Sequence, residues 1–90
     1  MEKITDKIRA KYPNPIQAWK ATRDNEYCVL GAACMYFKGR NFSFPTPLSA
    51  AGMIGITRNY AYRICVKNDT VDFDAAWNLL EEALQNRKTQ

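Results

Sequence analysis

Apolar residues recur along this chain at helical spacing. Ile4, Ile8 and Tyr12 fall four apart and predict a first short helix that Pro13 stops. Asn14 followed by Pro15 has the form of an N-cap and a first helical residue, and Ile16 and Trp19 would give a second helix its apolar side. From about Tyr27 to Lys38 the chain is apolar almost all round, through Val29, Leu30, Ala32, Ala33, Cys34, Met35 and Phe37, which is the pattern of a central buried helix; Gly39 is its stop. Arg40 to Pro45 reads as a loop pinned to the core by Phe42 and Phe44. Thr46-Pro47 repeats the start signal for a helix over Leu48 to Ile54, ended near Gly55. Thr57 can cap a helix from Arg58 to about Lys67, broken by Asn68-Asp69. The last helix begins near Thr70 or Asp72 and runs to about Asn86 on the stripe Phe73, Ala76, Trp77, Leu80 and Leu84. Asp72 and Asp74 suit the positive end of its dipole, and Arg87 and Lys88 the negative end. No hairpin signal separates two alternating runs, so no strand pair is predicted. The pattern predicts one all-α domain over residues 1–90, of five or six short helices around a buried central helix, with residues from about 85 to 90 as a frayed tail. Its core is built from that helix with Trp19, Phe42, Phe44, Ile56, Ile64, Phe73, Trp77 and Leu80.

Composition narrows the function classes. Ninety residues leave room for one domain, and a charged fraction of 24% is that of a globular chain. Histidine is absent, which removes Ser-His-Asp and Cys-His catalysis and histidine-bearing zinc sites. Cys28, Cys34 and Cys65 sit among apolar neighbours and read as buried, reduced thiols; Cys28 alone falls near a helix start, where a nucleophile could be activated. The longest apolar stretch, Cys28 to Phe37, is about half the ~20 residues that cross a bilayer. The N-terminus mixes charges and has no signal-peptide block, so the expectation is a soluble, cytoplasmic protein without a membrane partner.

Charge is unevenly laid out. The formal net charge is +4. Between Tyr27 and Asn68 there is no acid, only Lys38, Arg40, Arg58, Arg63 and Lys67; between Asp69 and Glu82 there is no base, only Asp69, Asp72, Asp74, Glu81 and Glu82. Folding can turn that layout into a basic face and an acidic face, or intermix the two.

Leu48 to Ile64 resembles a helix-turn-helix. Ala50, Ile54, Ile56, Ala61 and Ile64 fall at the apolar inner positions, Ala51 at the small position where two helices touch, and Gly55 in the turn. The resemblance covers about 17 residues and implies a recognition helix from Arg58 to Lys67, with Arg58, Asn59, Tyr62, Arg63 and Val66 outward. Arginine can read guanine and asparagine adenine in the major groove. Thr57, Tyr60 and Lys67, with Lys38 and Arg40 from before it, are the phosphate-contact candidates. Two short helices packed at a steep angle give the same pattern without binding DNA, and the acidic segment that follows departs from what a phosphate-binding face asks for. A second resemblance runs from Tyr27 to Leu84. Tyr27-Cys-Val-Leu-Gly-Ala32, the Phe-Pro loop, Asn68-Asp69 and Phe73-Asp-Ala-Ala-Trp77 look like a group of small uncharacterised bacterial and phage proteins. That likeness implies no activity; it favours structural roles for Cys28, Gly31 and Trp77, and helix-end capping for Asn68 and Asp69.

No enzyme reading gathers support. Asp69, Asp72 and Asp74 resemble half of a calcium loop but lack its glycine and terminal glutamate. Gly52 and Gly55 make no phosphate-cradling loop, and the adjacent Glu81 and Glu82 read as solvated surface. No cofactor or metal is expected. The expectation is a non-catalytic binding protein, most concretely a small helix-turn-helix DNA-binding regulator, of phage or mobile-element type. The alternative is a protein-interaction module, such as an inhibitor of a host or defence protein. The oligomeric state is open, a homodimer among its options.

Overall fold

A computed structural model describes residues 3–16, 22–23, 26–39 and 47–87. Five helices make up the fold there: α1 (Ile4–Lys11), α2 (Val29–Lys38), α3 (Pro47–Ile54), α4 (Arg58–Asp69) and α5 (Phe73–Arg87). A two-residue antiparallel pairing, β1 (Thr22–Arg23) with β2 (Glu26–Tyr27), precedes α2 and matches Thr22 with Tyr27. Among the described residues the protein is all-α apart from that short ladder, which the alternation pattern does not reveal.

α2 is the centre. Val29, Leu30, Ala32, Ala33 and Cys34 are all but inaccessible, and α1, α3, α4 and α5 each pack against this helix. α3 and α4 bury Ala50, Ala51, Ile54, Ala61 and Ile64, with Ile56 of the turn beside them. α5 contributes Ala76, Trp77, Leu80, Ala83 and Leu84, the stripe read from its spacing, with Phe73 half-buried at its start. Truncating one of these large side chains, Leu80 for example, costs about 2–5 kcal/mol through lost burial and the cavity left behind. Trp19, Phe42 and Phe44, also expected in the core, lie outside the described residues, as does the loop from Arg40.

The helix ends show why the elements stop where they do. The Cys28 thiol caps α2, accepting from the Gly31 N–H at 3.4 Å. Thr57 caps α4 by accepting from Tyr60 N–H at 3.2 Å, and Asp72 caps α5 by accepting from Ala75 N–H at 3.3 Å. Gly39 (φ 105°) closes α2, and Gly55 (φ 78°) makes the turn after α3.

Other features also depart from the sequence expectation. Pro15 and Ile16 are not helical. Their stretch is held by Tyr27 instead: Asn14 N–H donates to the Tyr27 hydroxyl at 3.0 Å, and Ile16 N–H donates to the Tyr27 carbonyl at 2.8 Å. Those tertiary bonds outweigh the local start signal. The remainder of that expected helix, from residue 17 to 21, lies outside the described residues.

Asn68-Asp69 does not break α4, which runs through Asp69. The stop is a Schellman closure three residues on. Val71 N–H donates to Asn68 C=O at 3.1 Å and Asp72 N–H to Lys67 C=O at 2.9 Å, with Val71 in the left-handed region at φ 61°. Glycine is the usual occupant there, so a β-branched residue hides the signal.

Asn68 itself is 1% exposed. Its Oδ1 accepts from Val29 N–H and its Nδ2 donates to the Ile16 carbonyl, both at 2.9 Å. It does cap a helix end, but that of α2, 39 residues earlier. Glu81 is likewise buried rather than solvated. Its carboxylate accepts from Thr5 N–H at 2.9 Å and Thr5 Oγ1 at 3.2 Å, where the N-terminus of α1 presents unpaired donors, and from Gln85. Burial pushes this carboxyl up, but the hydrogen bonds from the α1 backbone, Gln85 and the Thr5 hydroxyl together outweigh it and hold it below the usual carboxylate range.

Gln85 to Arg87, expected within a frayed tail, continue α5. The Arg87 guanidinium donates to the Ile54 carbonyl at the end of α3 and lies 4.9 Å from the Phe37 ring centre. It therefore serves the end of α3 in place of its own helix. Beside it, Asn86 donates to the Tyr60 hydroxyl. The α3–turn–α4 unit is thus tied at both its turn and its second helix to the C-terminal end of α5.

Candidate functional site

The local arrangement around the candidate residues is an eight-residue helix, the turn Gly55-Ile56-Thr57 and a twelve-residue helix. Ala61, Ile64 and Asn68 point α4 inward. With about 100° per residue, that choice turns Arg58, Asn59, Tyr62, Arg63, Val66 and Lys67 outward. All six are exposed, Tyr62 to 67% and Val66 to 41%. Asp69, at the far end of the helix, is the first acid on α4.

The neighbours of each candidate define what it has left to offer. Thr57 is exposed, and its hydroxyl oxygen is engaged as the α4 cap, which leaves its O–H as a donor. Arg58 and Asn59 occupy the first turn of α4. The Arg63 guanidinium lies over the Tyr60 ring, 5.7 Å from its centre, which steadies the side chain of an exposed residue. Tyr60 is half-buried, and its hydroxyl accepts from Asn86. Among the described residues no carboxylate comes within 4 Å of Arg58, Arg63 or Lys67; Asp74 of the acidic segment pairs instead with Arg9 of α1 at 2.8 Å. Thr57, Arg58, Asn59, Tyr62, Arg63 and Lys67 therefore share one exposed helix. Lys38 is exposed but stands at the end of a separate element, α2, and Arg40 lies outside the described residues.

A feature that spacing along α4 does not reveal lies beside these residues. An open groove of about 440 Å³ runs between α4 and α5. One wall is Tyr62, Arg63, Val66 and Lys67; the other is Ala75, Asn78, Leu79 and Glu82. The α5 set recurs at spacings of three and four, a second stripe beside the core stripe, and that was the available signal.

The thiols form no comparable site. Burial pushes Cys28 up despite its helix-start position, and pushes Cys34 and Cys65 up to about 12, so the protonated, unreactive form dominates at neutral pH. Among the described residues no group of three or more cysteine and carboxylate side chains is placed to hold a metal ion, and no helix is long and apolar enough to cross a membrane. No family model, curated protein or solved structure matches the chain.

Proposed function

We propose that the protein is a non-catalytic DNA-binding protein that inserts α4 into the major groove of duplex DNA, a small regulator of the helix-turn-helix kind. The observation that carries this reading is the outward face of α4. Two arginines, an asparagine, a tyrosine and a lysine are exposed together, with no described carboxylate within 4 Å of the three cations. Arg58, Asn59 and Arg63 are the base-reading candidates, since guanidinium and amide groups match the guanine and adenine edges. Lys67, the Thr57 hydroxyl and Lys38 are the phosphate-contact candidates. The ties from Arg87 to the end of α3 and from Asn86 to Tyr60 support the reading physically, because a helix that reads bases has to be held rigidly by its scaffold.

The test is fluorescence anisotropy with a randomised duplex across a salt series. Three or four neutralised phosphates give a slope of log K against log salt of roughly −3 to −4, and removing one phosphate contact, as in Lys67→Ala, makes it shallower by about 1. Selection of a preferred site followed by Arg63→Ala should then cost ~1–3 kcal/mol on that site. No retention of duplex even at low salt would remove the DNA reading and leave the same face to a protein partner.

A further inference from the structure

The groove between α4 and α5 has two properties that single-helix reasoning does not use. Its centre is apolar and open: Tyr62 and Val66 are two of the three large hydrophobic residues standing exposed among the described ones, and half-buried Leu79 faces them from α5. Its rims carry opposite charge, with Arg63 and Lys67 on the α4 wall and Glu82 on the α5 wall. No ion pair within 4 Å crosses the groove among the described residues. A partner of one sign that filled the groove from wall to wall would answer one wall and meet like charge on the other. A second copy turned by a two-fold axis answers both, because Glu82 of each copy comes to Arg63 and Lys67 of the other.

We infer that this groove is a self-association face, in which two copies pair across α4 and α5, with Tyr62, Val66 and Leu79 at the centre and the Glu82 contacts to Arg63 and Lys67 at the rims. The size of the face sets its strength. Helices of twelve and fifteen residues are ~18 and ~22 Å long, so two side by side present roughly 400 Å² per copy, about half of a standard interface. The pairing is therefore weak and reversible. The same side chains serve the DNA reading, so duplex and second copy compete for α4; that competition rests on the proposed function, whereas the pairing does not.

Sedimentation equilibrium of the full chain without DNA, up to about 0.5 mM, tests it in the range where interfaces this small associate. The wild-type chain should show a concentration-dependent monomer–dimer equilibrium. Val66→Glu should abolish the dimer, and Glu82→Arg should weaken it at least tenfold, with the circular dichroism of both unchanged. Mixing Glu82→Arg with the double variant Arg63→Glu, Lys67→Glu should restore a heterodimer, an outcome that a folding defect cannot produce. A wild-type chain monomeric throughout, or a dimer indifferent to both Val66→Glu and Glu82→Arg, overturns the pairing. Duplex added to the dimer should yield a complex with one copy on each site; loss of DNA binding alone would remove the competition and leave the dimer standing.

Discussion

Replacing Asn68 by alanine should be among the most damaging single changes to a polar residue in this chain. The side chain is 1% exposed and joins three segments, with its Oδ1 on Val29 N–H and its Nδ2 on the Ile16 carbonyl. Alanine removes two hydrogen bonds at a net ~1 kcal/mol each and leaves the partners unsatisfied, at ~1–3 kcal/mol for a fully buried group. The Val29 N–H is fully enclosed at the α2 N-terminus and bears the larger penalty; the Ile16 side is only part-buried and water relieves some of its share. The expected loss is about 2–4 kcal/mol, against a total stability for such a domain of roughly 5–13 kcal/mol at 0.05–0.15 kcal/mol per residue. It should lower Tm by roughly 8–32 °C, at about 4–8 °C per kcal/mol in a domain of this size. Urea unfolding followed by circular dichroism reads the first number and a thermal scan the second. Asn68→Leu separates hydrogen bonding from volume: it fills the space and restores neither bond, so it should be no more than about 1 kcal/mol better than alanine. An alanine variant less than about 1 kcal/mol down, or a leucine variant as stable as wild type, would refute the assignment of Asn68 as the polar link between α2, α4 and the segment after α1.

Three further outcomes follow from the fold. Glu81→Gln should destabilise at pH 7 by about 1.5–3 kcal/mol, the range for hydrogen bonds to a charged group. Because the folded carboxyl lies below its unfolded value, that advantage is present above the unfolded pKa and fades as pH falls through the folded one, so wild type and variant should converge in acid; a difference constant from pH 7 to pH 2 would contradict it. Gly55→Ala forces a side chain onto φ 78° and should cost ~1–2 kcal/mol from backbone strain alone, since the added Cβ meets only Arg87 Cδ at 3.8 Å; Gly52→Ala, inside α3 with nothing within 4 Å, should instead gain ~0.5–1 kcal/mol, and equal effects in chemical denaturation would show the turn misassigned. All three thiols should react with a disulfide reagent at pH 8 far more slowly in the folded chain than in urea, and a burst from one thiol would show it activated in place of buried.

What was legible in the sequence was whatever a single helix decides for itself. The all-round apolar run at Val29–Lys38 and the stripe through Trp77, Leu80 and Leu84 could be read because burial on a helix follows its period. The exposure of Arg58, Asn59, Tyr62 and Arg63 was legible for the same reason, Ala61 and Ile64 fixing which side turns in. What was not legible depends on side chains acting far along the chain. Asn14-Pro15 carries a sound start signal, yet Tyr27 and Asn68 take the backbone groups around it. Glu81 and Glu82 are indistinguishable as neighbours; only the position of α1 makes one a buried cap and leaves the other on the groove rim. Arg87 looks like a partner for its own helix end and serves α3 instead. The groove belongs to two helices at once, so half of it is invisible from α4.

The central claim is the proposal that the outward face of α4 binds duplex DNA. Backbone amide chemical shifts, recorded at low salt as a selected duplex is added to the labelled chain, test it most directly. The account predicts the largest changes at Arg58, Asn59, Tyr62, Arg63 and Lys67, with α1 and the buried positions of α2 unmoved. Changes centred on α1, or a spectrum that duplex leaves untouched, would contradict it.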